Sequence, residues 1–349
     1  MLTYARVERP EFTAIQDTDG VIYHQRGNYE LGDDTRAIIP VNRSYRPLYG
    51  DSILAKNPDA PYVRDRLIHD TLPASAELRG HERKLMVFGK TLLFVDSTDS
   101  QAFIEHSSQP SPLAIHSDES RRVLDMLKKE LTKQGASVQF GVHGSHEVGL
   151  NGADSDMDLI AWVPREERSN ALDMISDLLI NNGYTNANRT KKFNEFVVRI
   201  ANLTELPLEV SAHLAKQRNR WISPSGGFTS LQCIHADYDH NQVNSLLEIG
   251  VNGLFEAREE VFNLPVEVVG RSEPFNYPRA WTISHNDKEY PLISFNMVHQ
   301  GMGTDGKCAD SYAGPQVLTA SKVESVEGLE IFFMKDDSHY LLPATLVAN

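Results

Sequence analysis

Apolar residues change their spacing twice along this chain. Over residues 1 to about 115 they fall in short runs broken by turn residues, the pattern of strands. Gly20-Val-Ile-Tyr23 follows an Asp-Gly turn, Ala37–Val41 is a second run, and Lys84–Asp96 (KLMVFGKTLLFVD) predicts two strands around Gly89-Lys90. The turn-rich SSQPSPL at 107–113 predicts a linker. Beyond it Val123, Leu124, Met126, Leu127 and Leu131 recur at helical spacing, with Ser117 and Ser120 at the start and Gly135 as a stop. A strand over Val138–Val142 comes next, followed by Gly144-Ser145. A second strand, Met157–Val163, leads into a helix opened by Pro164 and acidic residues, which runs to about Asn181 and stops before Gly183. Phe193–Ile200 and Leu206–Ser211 predict two more strands, and 241–262 a helix weakened by Gly250 and Gly253. From Leu264 onward short strands alternate with turns, as in a small sandwich or barrel. The expected fold class is α+β: a mixed-sheet core over residues 116–262, between a β-rich N-terminal domain (1–115) and a small β domain (263–349).

Composition narrows the partners. The 349 residues suit two or three domains, and the formal net charge is −14. An acidic surface argues against indiscriminate nucleic-acid binding, which needs a broad basic face, but leaves room for a local groove. One tract departs from the average: 189–221 carries seven basic residues against three acidic, with Lys191 and Lys192 adjacent. The N-terminus lacks the apolar core of a secretion signal, and no window reaches the roughly 18 apolar residues of a membrane span. Cys233 and Cys308 are the two cysteines, far apart and in no metal-binding spacing. A soluble, cytoplasmic protein without membrane partners is expected, in a reducing compartment.

The chemistry concentrates in VQFGVHGSHEVGLNGADSDMDLIAWV, residues 138–163. A strand precedes Gly144-Ser145, ten residues intervene, and Asp156-Met157-Asp158 opens the next strand. Carboxylates at i and i+2 of a strand share one face, where they repel unless a cation lies between them. Hard oxygen ligands beside room for phosphates suit Mg²⁺ or Mn²⁺. Gly144 permits close backbone approach, and Ser145 begins a turn whose N–H groups and hydroxyl can hold a triphosphate.

This arrangement resembles the DNA polymerase beta-like nucleotidyltransferase superfamily. Its signature is a Gly-Ser pair, about ten residues, and a hydrophobic-flanked Asp-x-Asp, here Gly144, Ser145, Asp156 and Asp158 with Leu159 and Ile160. The core resemblance covers about residues 117–215, and the whole chain is similar to a mostly archaeal group of predicted nucleotidyltransferases. The resemblance implies a third carboxylate on a later strand. Glu209, in Leu206-Pro-Leu-Glu-Val210, takes that position, where Asp is the commoner residue. It implies an enzyme that transfers a nucleoside monophosphate from an NTP to a hydroxyl and releases pyrophosphate. Two ions would be held by Asp156, Asp158 and Glu209, with Gly144, Ser145, Lys191 and Lys192 on the phosphates. The acceptor is open: an RNA end, a protein side chain, a small molecule or a second nucleotide. The competing class is a catalytically silent nucleotide-binding or scaffold module.

Weaker patterns complete the inventory. His143 and His146 flank the Gly-Ser pair. Cys233-Ile-His235-Ala-Asp237-Tyr-Asp239-His240 contains metal-ligand residue types, and its simpler reading is a turn in which Asp239 caps the next helix. Gly301-Met-Gly303-Thr-Asp-Gly306 matches G-x-G-x-x-G, but no helix pattern follows it, so it predicts a loop.

Overall fold

The computed structural model describes residues 3–5, 14–16, 21–25, 30–33, 36–47, 62–67, 78, 82–96, 102–104, 118–143, 156–216, 220–235, 240–273, 278–295, 314–335 and 338–347. It is a mixed α+β protein made mostly of strands.

The N-terminal part contributes β1 (Thr3–Ala5), β2 (Ala14–Gln16), β3 (Ile22–Gln25), β4 (Glu30–Asp33), β5 (Arg36–Pro47), β6 (Tyr62–Leu67), β7 (Glu82–Val87), β8 (Lys90–Asp96) and β9 (Ala102–Ile104). They form one sheet in which the long β5 pairs with β3, β4, β6 and β8. The expected strands at 20–23, 37–41 and 84–96 are all present. The hairpin between β7 and β8 turns at Phe88-Gly89, both with positive φ.

The middle part opens with α1 (Asp118–Lys133), β10 (Gln139–His143) and β11 (Met157–Val163), the last with the bounds the sequence predicts. A single 3-10 turn, Arg165–Glu167, then leads into α2 (Arg168–Asn181). Gly183 at φ +84° closes α2, its N–H bonded to Ile180 O at 3.0 Å, and Gly135 at φ +74° follows α1. Next come β12 (Thr185–Asn186), α3 (Lys191–Thr204), α4 (Leu208–Lys216), β13 (Arg220–Ile222), β14 (Phe228–His235) and α5 (His240–Val251). The sheet order is β10-β11-β14-β13-β12, with β11 parallel to β14 and the other pairs antiparallel.

Two expected strands are helices. The segment 193–200 lies within α3: Phe193, Val197, Ile200 and Thr204 are its buried residues, a spacing of 3.6 rather than 2. Thr190 caps it, accepting from Phe193 N at 3.2 Å. The segment 206–211 gives way to α4, where Pro207 precedes the first helical residue and Val210 and Leu214 are buried four apart.

The C-terminal part holds β15 (Phe255–Glu273), β16 (Arg279–His285), β17 (Lys288–Ser294), β18 (Pro315–Ser325), β19 (Glu330–Met334), β20 (Tyr340–Pro343) and the one-turn α6 (Ala344–Val347). The order β15-β16-β17-β19-β18 returns to β15, because that strand also pairs with β18. The ring is a five-stranded closed sheet, a barrel rather than a sandwich, with β17 parallel to β19. Trp281, Ile283, Leu292, Leu318, Ala320, Phe332 and Met334 form its core. The helix expected over 241–262 ends at Val251, where Gly253 at φ +64° reverses the chain into β15. The boundary expected between 262 and 263 thus falls inside β15.

One apolar cluster holds the middle part together and two join it to its neighbours. Helices α1 and α2 cover one face of the middle sheet through Val123, Leu127, Leu172, Ile175 and Leu179 against Phe140, Leu159, Ala161 and Leu231. Helix α5 and the β7–β8 hairpin cover one outer side of the barrel. Helices α3 and α4 cover another, packing Val197, Ile200 and Leu214 against Leu342 and Val317. No helix among the described residues is long and apolar enough to cross a membrane.

Candidate functional site

The alternation of β11 divides its side chains between two environments. Met157, Leu159, Ala161 and Val163 enter the core beneath α1 and α2, so Asp158, Ile160 and Trp162 face the other way. Asp156, two residues before Asp158, shares that face at the mouth of the strand. On β14, Leu231 and Cys233 join the same core, which puts Phe228, Ser230 and Gln232 on the Asp158 side. On β13, Trp221 is in the core and Arg220 opposite.

Register then lines up a cross-strand row. Asp158 pairs with His143 on one side and Ser230 on the other, and Ser230 pairs with Arg220. The Ser230 hydroxyl donates to Asp158 Oδ1 at 2.6 Å, a charge-assisted bond. Helix α3 supplies a second wall. Lys192 Nζ lies 3.8 Å from Asp156 Oδ1 and 4.4 Å from the centre of the Phe228 ring. One turn on, Phe196 receives the Arg220 guanidinium 4.0 Å over its ring. Lys191 projects outward and pairs with Glu195 at 3.7 Å.

Burial depresses the pKa of Arg220, Asp156 and Asp158 act to raise it again, and Arg199 adds a further downward push. A guanidinium remains charged through shifts of this kind. Arg220 is therefore a half-buried cation that feels both carboxylates, while Lys192 is an exposed one. The result is a face with two carboxylates at its centre and two cations at its edge, each stacked on an aromatic ring.

The expected ligands fare differently. Asp156 and Asp158 stand on one face of the sheet, as the i, i+2 spacing requires. Lys192 reaches that face. Gly144, Ser145, His146, Asp237 and Asp239 lie outside the described residues, as do Cys308 and the 301–306 glycine motif. Cys233 is buried in the core beneath α2. Glu209 requires a correction: it lies in the first turn of α4, exposed, not on a strand of the sheet. Among the described residues no three His, Cys, Asp or Glu side chains group as metal ligands, so Glu209 does not complete a triad here. The strand beside β11 is β14, FTSLQCIH, which contains no acidic residue, and the place opposite Asp158 belongs to Ser230.

Sequence reasoning missed Ser230, Phe228, Phe196 and the placement of Arg220. The signal for β14 was present: Thr229, Leu231 and Cys233 alternate with Phe228, Ser230 and Gln232. Two carboxylates on one face fit a hard divalent cation, which is commonly held by one or two carboxylates plus substrate phosphates. No protein-family model matches the chain, and no curated protein and no solved structure matches it.

Proposed function

We propose that this protein is a metal-dependent nucleotidyltransferase that uses the Asp156–Asp158 face to bind an NTP with Mg²⁺ or Mn²⁺. The nucleoside monophosphate passes to a hydroxyl acceptor and pyrophosphate leaves. The observation that carries the reading is the pair of carboxylates on one face at the mouth of β11, ringed by Lys192 and Arg220. Two acids held side by side cost stability unless a cation bridges them, and flanking cations match the remaining charge of a triphosphate. The Gly144-Ser145 pair, which follows β10 in the sequence, belongs to the same reading. When bound, the ion supplies charge neutralisation on phosphate and acceptor oxygens. The chain's own part is to orient. Ser230 fixes the Asp158 carboxylate, Phe228 steers Lys192, and Phe196 holds the Arg220 plane.

A second reading, a nucleotide-binding module without turnover, draws on the neutral Ser230 lying beside Asp158 on the adjacent strand, with no third acid on β14. One experiment separates them. The full-length protein is incubated with Mg²⁺, each of the four NTPs and a panel of RNA, protein and small-molecule hydroxyl acceptors, and pyrophosphate is measured. Release that disappears in Asp156→Ala and Asp158→Ala supports transfer. Nucleotide binding with no release on any acceptor supports the silent module. Release that either variant keeps within a few-fold would remove the carboxylates from the mechanism.

A further inference from the structure

We propose that Arg199 and Arg220 hold a phosphate group carried by the hydroxyl acceptor, so that the acceptor is a phosphorylated molecule and not a bare alcohol. This rests on the nucleotidyltransferase reading above and narrows its acceptor. The flanking cations divide between the two substrates, Lys192 serving the triphosphate and Arg220 the acceptor. The row across the sheet sets the two sides of the reaction. Its order is His143, Asp158, Ser230 and Arg220, on β10, β11, β14 and β13. The triphosphate belongs in that reading to Gly144-Ser145, which follow β10 directly in the sequence. Phosphoryl transfer places the attacking and leaving oxygens roughly in line. With pyrophosphate leaving on the β10 side, the acceptor hydroxyl approaches across Asp158 from the side of β14 and β13. Its oxygen bonds to the α-phosphorus as the bond to pyrophosphate breaks, and its proton passes to solvent.

Helix α3 lines the approach. At 100° per residue, Lys192, Phe196 and Arg199 fall within about 60° of one another, roughly a quarter turn from the buried stripe of Phe193, Val197, Ile200 and Thr204. Lys192 stands at Asp156, and Arg199 lies about 10 Å farther along the axis. Phe196, between them, carries the Arg220 guanidinium 4.0 Å over its ring. Arg220 sits two inter-strand steps from Asp158, about 10 Å between backbones. Burial opposes the charge on Arg220, Asp156 and Asp158 support it, and Arg199 opposes it again. Two guanidiniums that repel one another are stabilised by an anion lying between them. Two planar forks, one of them held flat on an aromatic ring, match the oxygens of a phosphate. A purely structural role, stacking β13 onto α3, would account for Arg220 but not for the exposed Arg199 beside it.

The test loads the full-length protein with a non-hydrolysable NTP analogue and Mn²⁺ and titrates it by calorimetry with three probes. These are adenosine, adenosine 5′-monophosphate and a short oligoribonucleotide ending in a 3′-hydroxyl. A phosphate-bearing probe should bind and adenosine should not. Binding of the monophosphate supports the inference with a phosphorylated small molecule as the source, and binding of the oligoribonucleotide alone supports it with a strand end. Arg199→Ala and Arg220→Ala should each weaken the bound probe roughly tenfold or more, and weaken it more than the analogue. Arg220→Lys should recover part of the loss. Analogue affinity that falls as far as probe affinity would give the arginines to the triphosphate and overturn the inference. So would adenosine binding as tightly as its monophosphate, or no phosphate-bearing probe binding to a protein that takes the analogue; each leaves the nucleotidyltransferase reading intact. Wild type that binds no analogue would overturn both. Should Arg220→Ala fail to fold, the exposed Arg199→Ala decides.

Discussion

The barrel and the middle sheet both carry charged side chains on strands, but they balance them in different ways. On the barrel two acids, Glu330 and Glu260, are each met by several partners from neighbouring segments. Glu330 on β19 takes Lys288 from β17 and Lys322 from β18, the latter at 2.6 Å, and Glu260 on β15 takes Ser321, Lys335 and His339. On the middle sheet Asp156 and Asp158 follow one another along the same strand face. Lys192 stands at 3.8 Å, beyond hydrogen-bond length, and Arg220 acts through its field across Ser230. Charge on the barrel is satisfied by the fold itself. Charge on the middle sheet is gathered on one side of a single strand, with cations brought in from α3 and β13.

The strongest way to break this contrast is to delete one acid from each region. Asp158→Ala should lower pyrophosphate release on the order of a thousandfold, while stability changes by no more than about 1 kcal/mol, because a lost hydrogen bond to Ser230 is offset by relief of repulsion with Asp156. Glu330→Ala should leave turnover unchanged and lower the denaturation midpoint. Steady-state assays and urea melts on both variants check the pair. If Asp158→Ala destabilises as much as Glu330→Ala with activity intact, the two regions do not differ in the way described.

A smaller effect tests the joint between the N-terminal hairpin and the barrel. A Cβ added at Gly250 would lie 2.5 Å from the Phe88 ring, which is packed against Phe333 at 4.9 Å and Phe255 at 5.2 Å and has nowhere to retreat. Ala in place of a helical Gly gains about 1 kcal/mol in propensity, but overpacking costs roughly 1–3 kcal/mol. Gly250→Ala should therefore be net destabilising by chemical denaturation. Nucleotide and Mn²⁺ binding should persist, since the Asp156–Asp158 face belongs to a separate packing cluster. A Gly250→Ala protein more stable than wild type would contradict the close approach.

How much of this was legible depended on whether period and composition agreed. For α1, α2, β10 and β11 they did: strong periodicity, Gly135 and Gly183 as stops, and a clean alternation through Met157–Val163. For α3 they conflicted. Phe196-Val197-Val198-Arg199-Ile200 is rich in strand formers, yet the buried set Phe193, Val197, Ile200 and Thr204 is helical, and the barrel residue Leu342 packs against it. Tertiary packing decided in favour of the helix. The same override moved Glu209 off the sheet. At the site the carboxylate pair was legible because i, i+2 spacing fixes a face in any strand. Ser230 and Arg220 were not, because they reach Asp158 only through the parallel register of β14 on β11, and pairing partners distant in sequence leave no local trace.

The smallest effect comes from pH. Hydrogen bonds from Lys288 and then Lys322 hold the Glu330 carboxyl at about 2, down from the ordinary 4.5. A depressed folded-state pKa means that the folded protein binds this proton less readily than the unfolded chain does. Its contribution to stability is therefore complete above pH 4.5 and is lost as pH falls through about 2. Comparison with a variant that differs only at this group separates its effect from the other carboxyls that titrate in the same window. Glu330→Gln removes the titrating group while keeping its shape, and the stability of the variant relative to wild type should rise as pH drops from 4.5 to 2. Lys288 is largely exposed, so the difference should be modest and should shrink in about 1 M salt, where the screening length falls to about 3 Å. Denaturation curves of the two proteins across that range, at low and high salt, read it directly. A wild-type and Glu330→Gln difference that is flat with pH would mean that the barrel does not hold this acid by its lysines, and the contrast with the Asp156–Asp158 pair would lose its reference side.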